Sequence, residues 1–492
     1  MEGCTMTEQG KVKRKPTLAE SLLAVLFLIV IIVVGNVFFG LSVELMFVIA
    51  IFFVGYIGKR CGFTYKEIKA GMIDCVAENA EMMVIMLGIG FVIGTWVFSG
   101  TVPVMIGWLA KLISVKYVLV LSFIFCGIIA MIIGTSSATM GTIGVIMLGV
   151  ATIQGVNPGI AAAAVISGSF IGQVCSLLAD MVNYNASITG NTPSSAIKLC
   201  MPAEMIGAIV SIAFFFFVGM RMNAETTQES LAEINQLVDT VFSCYKGSAV
   251  VLLPVIVLFI LVIKKVDVIP TLFTSGIVAL LVGIFYQGFS IQAAFTSAYF
   301  GFNTSMFNLP AGAELMPQFV SLVSRGGMFS MSDFLISIPI MMAYCGVLQA
   351  IGVAQVISET LLKDIKKAGN AIAVNTFASM FLCAATGSVM APGVLASKMF
   401  TGVYERSGIS RRNMVTSFQF SCTMGVLLFP WCAVTVYAQS IVGIKAIEFI
   451  PYLTLVYVPI IVNIIFGYLG IGVVKLKDDK LTEPLTVPPV RE

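Results

Sequence analysis

The stretch ISGSFIGQVCSLLADMVNYNASIT, from Ile166 to Thr189, is the most informative part of the sequence. It has the length of a membrane span, which needs about 20 residues. It nevertheless carries polar side chains that a lipid-facing surface would not accept, among them Ser167, Ser169, Gln173, Ser176, Asp180, Asn183 and Asn185. We therefore predict that this segment lines a polar cavity among other spans. A counterpart is predicted in the second half, from Ser417 to Gln439.

The amino-acid composition indicates what kind of protein contains this segment. Of the 492 residues, 58% are hydrophobic and 11% are charged, and the mean hydropathy is +1.01. These values lie far outside the usage of soluble globular proteins. Apolar runs of span length recur along nearly the whole chain, whereas alternating strands of about ten residues do not. The predicted fold class is an all-α polytopic membrane protein.

Net charge and reactive residues narrow the functional classes. The formal net charge is +3 and the basic residues form no continuous face, so no nucleic-acid partner is predicted. Eleven cysteines without a CxxC pair favour small core residues over a metal site or disulfides. The sequence contains no histidine, which excludes histidine-based catalysis, metal ligation and proton relays. We expect neither an enzyme nor a bound cofactor.

The basic residues indicate the topology. A basic cluster from Lys11 to Lys15 precedes the first apolar run, Leu18 to Gly40, and places the N-terminus in the cytoplasm. Threading the later runs in order predicts fourteen spans with both termini cytoplasmic. The predicted divisions are a tail (1–17), a two-span hairpin (18–60), a first transport repeat (64–220), a polar extracytoplasmic loop (221–246), linker spans (247–320), a second, inverted repeat (321–474) and a cytoplasmic tail (475–492).

An internal repeat accounts for this division. The segment Met86 to Gly94 resembles Met341 to Gln349, and the separation between the two units is near 250 residues, which brings Asp180 close to Trp431 in the comparison. Each unit has five predicted spans. Because five is odd, the two units have opposite orientations in the membrane. Paired inverted units with interrupted helices indicate alternating access around a site at the midplane.

The segment GTSSATMGTIG, Gly134 to Gly144, is a candidate site because it combines hydroxyl groups with glycines. Its hydroxyls and freed backbone carbonyls are suitable ligands for a sodium ion or a polar substrate. The alternative is that these small residues only allow helices to pack closely. The candidate ligands here are Thr135, Ser136 and Thr139, and the matching polar break of the second unit supplies Thr386 and Ser388.

Asp180 is the acid most clearly placed within a predicted span. A lone carboxylate at membrane depth needs a cation, a proton or a donor beside it. Asn183 lies three residues further on and shares its helix face. We predict that Asp180, Asn183 and Thr135 are sodium ligands. The alternative for Asp180 is a structural acid near the membrane surface.

Pro430 interrupts the counterpart segment, with Trp431 directly after it. A proline inside a helix frees a backbone carbonyl, and that carbonyl must find a partner, which can be an ion. Gln419 and Tyr437 are further polar candidates on the same segment. We predict that Pro430, Trp431 and Gln419 lie at the site.

Taken in order, these motifs resemble those of a known family. The motifs are SGTVP (Ser99 to Pro103), GTSSATMGTIG, the pair Asp180 and Asn183, SRGG (Ser324 to Gly327) and FPW (Phe429 to Trp431). Together they are similar to the NhaC family of sodium/proton antiporters, over roughly Glu67 to Gly470. The resemblance implies exchange of sodium for protons. Some relatives instead exchange organic acids such as malate and lactate, or carry amino acids.

The chain departs from the family pattern at two places. Gln173 and Val174 stand where the family usually has an Asp-Lys pair, and Gln419 and Phe420 stand where it tends to have Glu-Asp. Both places are neutral here, which leaves Asp180 as the main acid. A glutamine offers one carbonyl oxygen and two donors, which suits a zwitterionic or carboxylate substrate.

From these residues we predict a sodium-linked antiporter of the NhaC type that works by alternating access in a bacterial-type inner membrane. Sodium is the expected coupling ion, exchanged for a proton or a small organic substrate. The alternative is a sodium- or proton-coupled carrier or exchanger of a small organic acid or amino acid on the same fold. A passive channel is disfavoured by the predicted inverted repeat. The sequence leaves a homodimer open.

Overall fold

The chain is all-helical in a computed structural model. This structure describes residues 13–32, 34–35, 39, 42–78, 80–225, 228–264, 266–307, 315–324, 326–353, 355–356, 365–386 and 389–478. Within these ranges there is no β-strand, only an isolated bridge between Ile409 and Lys475. The predicted all-α fold class is therefore confirmed.

The described residues of the first half form a series of helices. In chain order they are α1 (Leu18–Ile32), α2 (Val43–Arg60), α3 (Tyr65–Glu78), α4 (Ala80–Phe98), α5 (Thr101–Leu112), α6 (Val115–Ile133), α7 (Ser136–Thr139), α8 (Val145–Ile153), α9 (Pro158–Cys175), α10 (Asp180–Thr189), α11 (Pro193–Glu225) and α12 (Gln228–Cys244). A π-helical turn, Met140–Gly144, joins α7 to α8.

The second half begins with linker helices. Its helices are α13 (Leu253–Ile263), α14 (Val268–Val282), α15 (Ile291–Phe300), α16 (Pro317–Val323), α17 (Ser332–Ile351), α18 (Ala368–Thr386), α19 (Met390–Arg406), α20 (Met414–Phe418), α21 (Ala433–Val442), α22 (Ala446–Phe449) and α23 (Thr454–Leu469). After α20 the chain forms a π-helical turn, Gln419–Met424, and a 3₁₀ turn, Gly425–Leu428.

Several of these helices are long and apolar enough to cross a membrane. Among the described residues six qualify, and up to ten spans result if each of four bent helix pairs is one span. Fourteen spans therefore stay a prediction.

The stretch Ile166 to Thr189 is not one continuous helix. Helix α9 ends at Cys175 and α10 begins at Asp180, with extended backbone at Ser176 and Ala179 between them. The stretch that has the length of one membrane span is therefore divided between two helices. The counterpart segment is broken in the same way, because its backbone is extended at Phe429 and Cys432 before α21 begins.

The helix boundaries of the two halves are related by one constant offset in residue number. Helices α6 and α18 span 115–133 and 368–386. The same offset relates the broken pairs, which span 158–175 with 180–189 and 411–428 with 433–442. Gly190 and Gly443 end the second halves of these pairs with φ of 73° and 72°. At this offset Leu178, and not Asp180, corresponds to Trp431.

Close helix packing positions the broken segment. The α6–α9 interface is the most extensive in the molecule. Added Cβ atoms on Gly168 and Gly172 of α9 would overlap the carbonyl oxygens of Phe123 and Ala130 on α6. Small residues at such places let two backbones approach, which is how helices associate in lipid. Glycine is therefore required at both positions of α9.

The N-terminal helices pack on the start of the second repeat unit. Helices α2 and α3 lie against α17. Gly71 of α3 and Gly346 of α17 approach so closely that a Cβ on either would overlap the carbonyl oxygen of the other. The predicted hairpin of α1 and α2 thus contacts the transport core through α17.

The segment 221–246, predicted as a polar loop, is largely helical. Helix α11 continues to Glu225, and α12 occupies 228–244. Helix α12 packs on α5, where Lys111 and Asp239 form an ion pair of 3.2 Å. Helix α5 itself was not predicted, and it is bent by 71° from α4. The polar segment that joins the predicted spans thus contains a helix, α12, which packs on α5.

The α6–α9 contact yields a first prediction. Gly172→Val should destabilise the folded protein by about 1–3 kcal/mol, since the added side chain forces the two backbones apart. Gly402 is the matched control, because a Cβ there meets no atom within 4 Å. Thermal unfolding in detergent should show a lower midpoint for Gly172→Val and an unchanged or higher one for Gly402→Ala. Equal midpoints for the two variants would contradict the packing described.

Candidate functional site

Two breaks in the helices of the first half lie against each other. Gly134 ends α6 with φ of 84°, a left-handed conformation that favours glycine. A Cβ on Gly134 would lie 2.9 Å from the carbonyl carbon of Leu178, in the break between α9 and α10. Thr135 continues in extended conformation before α7 begins. The non-helical backbone at Gly134 and Thr135 therefore lies next to the non-helical backbone between α9 and α10.

Asn183 stabilises one of these breaks. Its side-chain amide donates hydrogen bonds to the carbonyl oxygens of Leu177, at 3.1 Å, and Ala179, at 2.9 Å. The side chain is exposed. Asn183 therefore donates hydrogen bonds from its amide nitrogen to carbonyl groups that the break leaves without helical partners. These hydrogen bonds do not test the prediction that Asn183 is a sodium ligand.

A buried hydrogen-bonded network connects the two halves of the chain. Gln419 donates from Nε2 to the backbone oxygen of Gln173 at 2.6 Å. Its Oε1 accepts a hydrogen bond of 2.9 Å from the amide of Asn185, which also lies 3.1 Å from Oγ1 of Thr423. Asn185 and Gln419 are 0% and 1% exposed. Residues of α9 and α10 are thus bound directly to the counterpart segment.

A second branch of the network begins at α7. The hydroxyl groups of Ser136 and Tyr437 lie 2.9 Å apart, and Nε2 of Gln173 lies 3.4 Å from Oγ of Ser136. Tyr437 corresponds to Tyr184 at the constant offset between the halves. The hydroxyl of Tyr184 lies close to Gly393 near the start of α19, as that of Tyr437 lies close to the start of α7. We name the set of Ser136, Gln173, Asn185, Gln419, Thr423 and Tyr437 the central network.

Three buried oxygen atoms in and beside the central network have no hydrogen-bond partner among the described residues. They are Oγ1 of Thr135, Oε1 of Gln173 and Oδ1 of Asn185. Buried polar atoms of folded proteins are nearly always satisfied, so each of these oxygens calls for a partner. Hydroxyl and amide oxygens are ligands that hard cations prefer. The three oxygens are therefore candidate cation ligands that are not carboxylates.

An acidic cavity lies beside the network. It has a volume of about 540 Å³, and Glu81, Asp180 and Asp267 line it together with Thr135. Thr135 immediately precedes Ser136 and so connects the cavity to the central network. No three acidic or thiol side chains in the described part of the chain are close enough to hold a metal ion together. The three carboxylates therefore give the cavity its charge without forming a common metal site.

The predicted site residues are thus divided between several places. Ser136, Gln173 and Gln419 belong to the central network, whereas Thr135 and Asp180 line the acidic cavity. Thr139 donates its hydroxyl to the carbonyl of Thr135 at 2.9 Å.

The candidates of the counterpart segment lie to one side of the network. Pro430 is exposed, and Trp431 donates from Nε1 to the carbonyl of Ala384 at 3.1 Å. The side chain of Thr386 and all of Ser388 lie outside the described residues.

Two members of the central network, Asn185 and Thr423, were not selected as site residues from the sequence, whereas Tyr437 was a polar candidate. One available signal for Thr423 was its spacing from Gln419, four residues, which places both on one helix face. Asn185 was noted only as a polar residue of the quoted stretch. The sequence did not indicate its partners, because they lie 234 and 238 positions further along the chain.

Comparison with known proteins adds the family. The family model described as the Na+/H+ antiporter family matches residues 168–471, which include both broken segments except the start of the first. The chain belongs to the Na+/H+ antiporter family. The resemblance predicted from the motifs is thereby confirmed. With its apolar helices, the chain is a multi-pass membrane protein and a transporter, not an enzyme.

Relatives of known name extend along nearly the whole chain. The chain is 27% identical to the Na+/H+ antiporter NhaC of Alkalihalophilus pseudofirmus, over 94% of this chain and 98% of the relative. An uncharacterized Na+/H+ antiporter of Haemophilus influenzae is 26% identical over the same shares. A malate-2H+/Na+-lactate antiporter of Bacillus subtilis is 25% identical over 93% of this chain and 96% of the relative.

The bond between the two hydroxyls of the network yields a second prediction. Tyr437→Phe should lower the free energy of unfolding by about 1–3 kcal/mol, because the buried hydroxyl of Ser136 loses the closer of its two hydrogen-bond partners. Tyr468 is the matched control, since it lies near the surface and its hydroxyl bonds Asn370. Thermal unfolding should show a clear loss for Tyr437→Phe and little change for Tyr468→Phe. A loss of equal size in both would refute the special role of the Ser136–Tyr437 bond.

Proposed function

We propose that this chain exchanges sodium for protons by alternating access, with sodium held at the central network. The observation that carries the proposal is the group of three buried oxygens without partners among the described residues, on Thr135, Gln173 and Asn185. Membership of the Na+/H+ antiporter family supports the same activity. Sodium is the coupling ion in this proposal, and no cofactor takes part.

The acidic cavity supplies a route to these oxygens. Carboxylates around one opening attract cations and raise their local concentration. Asp180 lies at the first turn of α10, beside the break, and shares the cavity with Thr135. We infer that sodium enters past Asp180, is passed to Thr135 and is then held by the amide oxygens of the network. In this proposal Asp180 and Thr135 contact the ion, and Asn183 keeps the break in shape.

The repeated helix boundaries support alternating access. Two units with the same boundaries and odd numbers of spans would lie in the membrane with opposite orientations, each contributing one interrupted helix pair to the midplane. We propose that the units at 64–220 and 321–474 are related in this way within fourteen spans, in the inner membrane and with both termini cytoplasmic. The proposal holds for a monomer or a homodimer, which crosslinking in vesicles would distinguish.

A second candidate function is exchange of a small organic acid or amino acid. The specific observation that favours it is the neutral network, in which Gln173 and Gln419 offer amide donors that suit a carboxylate or a zwitterion. One relative is named as a malate-2H+/Na+-lactate antiporter. On this alternative the same network would hold the carboxylate group of the substrate.

Reconstituted vesicles separate the two functions. For the sodium/proton antiporter, addition of sodium alone should collapse an imposed pH gradient. For the organic-acid or amino-acid carrier, sodium alone should leave the gradient intact, and a labelled organic substrate should be taken up. Absence of any sodium-dependent proton movement in the wild type would refute the first proposal.

Asp180 provides a third prediction. Asp180→Asn should abolish sodium-driven proton movement while the protein stays folded, because the carboxylate that guides the cation is lost. Glu448→Gln is the matched control, since Glu448 is an exposed acid at the start of α22. Proton movement in vesicles, measured with a pH-sensitive dye, checks the result. Unchanged sodium-driven proton movement in Asp180→Asn would contradict the proposed route.

Asn185 provides a fourth prediction. Asn185→Ala should raise the sodium concentration for half-maximal exchange by about tenfold, which corresponds to ~1.4 kcal/mol of lost binding free energy. The variant removes one of the unpartnered oxygens and also the donor to Gln419. Asn370→Ala serves as control, because Asn370 is exposed in the first turn of α18. An equal sodium dependence in both variants would exclude Asn185 from the ion site.

A further inference from the structure

Glu204 is a carboxylic acid enclosed within the helix bundle. It lies in α11 and is 1% exposed. Neither of its carboxyl oxygens has a hydrogen-bond partner in the described part of the chain. Acidic side chains are almost never fully buried unless they are paired. Glu204 lies outside the central network and the acidic cavity, so neither accounts for it.

Helix α23 faces Glu204 from one side. The hydroxyls of Ser211 and Thr454 lie 2.8 Å apart, and one turn earlier in α11 a Cβ on Gly207 would contact the ring of Pro459. The residue number on α23 rises from 454 to 459 as the residue number on α11 falls from 211 to 207, so the two helices are antiparallel. Continued by one more turn, this register places Glu204 level with Asn463. The side-chain nitrogen of Asn463 is also buried without a hydrogen-bond partner among the described residues.

Two cysteine thiols interact electrostatically with the carboxyl of Glu204. Cys200 lies one turn earlier on the same face of α11, and Cys175 is the last residue of α9. These thiols are the titratable groups that face the carboxyl, and no cationic side chain of the described residues interacts with it. Cys175 directly precedes the break and follows Gln173 by two residues. Glu204 therefore lies near the end of α9, on a different side of that helix from Gln173 and the central network.

An unpaired carboxylate at such a place needs a positive partner. Removing the ion from water costs several kcal/mol, and nothing in these surroundings offsets this cost. A hard metal cation would need about six oxygen ligands, whereas the neighbours of Glu204 are thiols and an amide. A single proton on one carboxyl oxygen removes the charge without further ligands. The neutral acid is thus the form that the observed surroundings accept.

We propose that Glu204 is the proton-binding site of the exchanger, separate from the sodium site, and this inference rests on the proposed function. A proton from water binds one carboxyl oxygen and neutralises the group in the enclosed state. Movement of α9 at the break after Cys175 admits water, and the amide of Asn463 donates to the carboxylate that remains after the proton leaves. The proton is returned to water on the opposite side, and no other group changes its oxidation state or bonds.

Glu204→Gln tests this inference, because the amide is similar in shape to the protonated acid but cannot exchange a proton. Two assays in vesicles are needed: sodium-driven proton movement, and exchange of radioactive sodium for unlabelled sodium at equal pH on both sides. We expect loss of proton movement with sodium-for-sodium exchange unchanged. Glu405→Gln, at an exposed acid near the end of α19, should leave both assays at the wild-type level.

Other outcomes overturn the inference. Proton movement in Glu204→Gln at the wild-type level would remove Glu204 from the proton route. Loss of both activities in that variant would assign Glu204 to the sodium site or to the structure. Should Glu204→Gln fail to fold, Glu204→Asp replaces it and should keep both activities with a displaced pH midpoint of proton movement. An undisplaced midpoint would refute the assignment. A wild type without sodium exchange would instead refute the proposed function.

Discussion

Hydrocarbon offers no hydrogen bonds, so every backbone group released by a broken helix must find a partner inside the protein. In the break after Cys175, Asn183 donates to two carbonyl oxygens, and Oγ of Ser176 accepts from the backbone nitrogen of Leu178 at 3.2 Å. Gly134 allows a second segment to lie against the same break. The polar residues of this stretch thus have two roles. Some form hydrogen bonds with backbone groups of the break, and others, such as Gln173 and Asn185, form hydrogen bonds with the second half of the chain.

Helices and fold class could be predicted from apolar run length and spacing, which are local properties. The break after Pro430 was predictable too, because proline cannot continue a helix. The break at Ser176 to Ala179 was not, since the sequence SLLA holds neither glycine nor proline and favours a helix by itself. The break lies against Gly134, which belongs to a different segment of the chain, at the end of α6. The site was predicted only in part for the same reason: the bond from Asn185 to Gln419 joins residues 234 positions apart.

The position of Gln419 also explains why a neutral residue fits there. Its Nε2 donates to the backbone oxygen of Gln173 while its Oε1 accepts from Asn185. An ionised glutamate offers only acceptors, so it could not serve the backbone oxygen. Residue 173 contributes to this contact only through its backbone oxygen, so the bond depends on the amide at 419 and not on the side chain at 173. The amide at 419 holds both halves of the chain in one arrangement.

In the proposed exchange, sodium is finally held by the uncharged ligands of the central network, and this has a consequence for how the two cations are exchanged. In a carboxylate site, sodium and proton compete for the same oxygens, and that rivalry alone produces exchange. The amide and hydroxyl oxygens of the central network have no proton to release when sodium arrives. Binding of one ion must then change the affinity for the other through the equilibrium between inward-open and outward-open states, as reciprocal linkage between separate sites. The broken helices, which both halves share, are the elements through which such linkage would act.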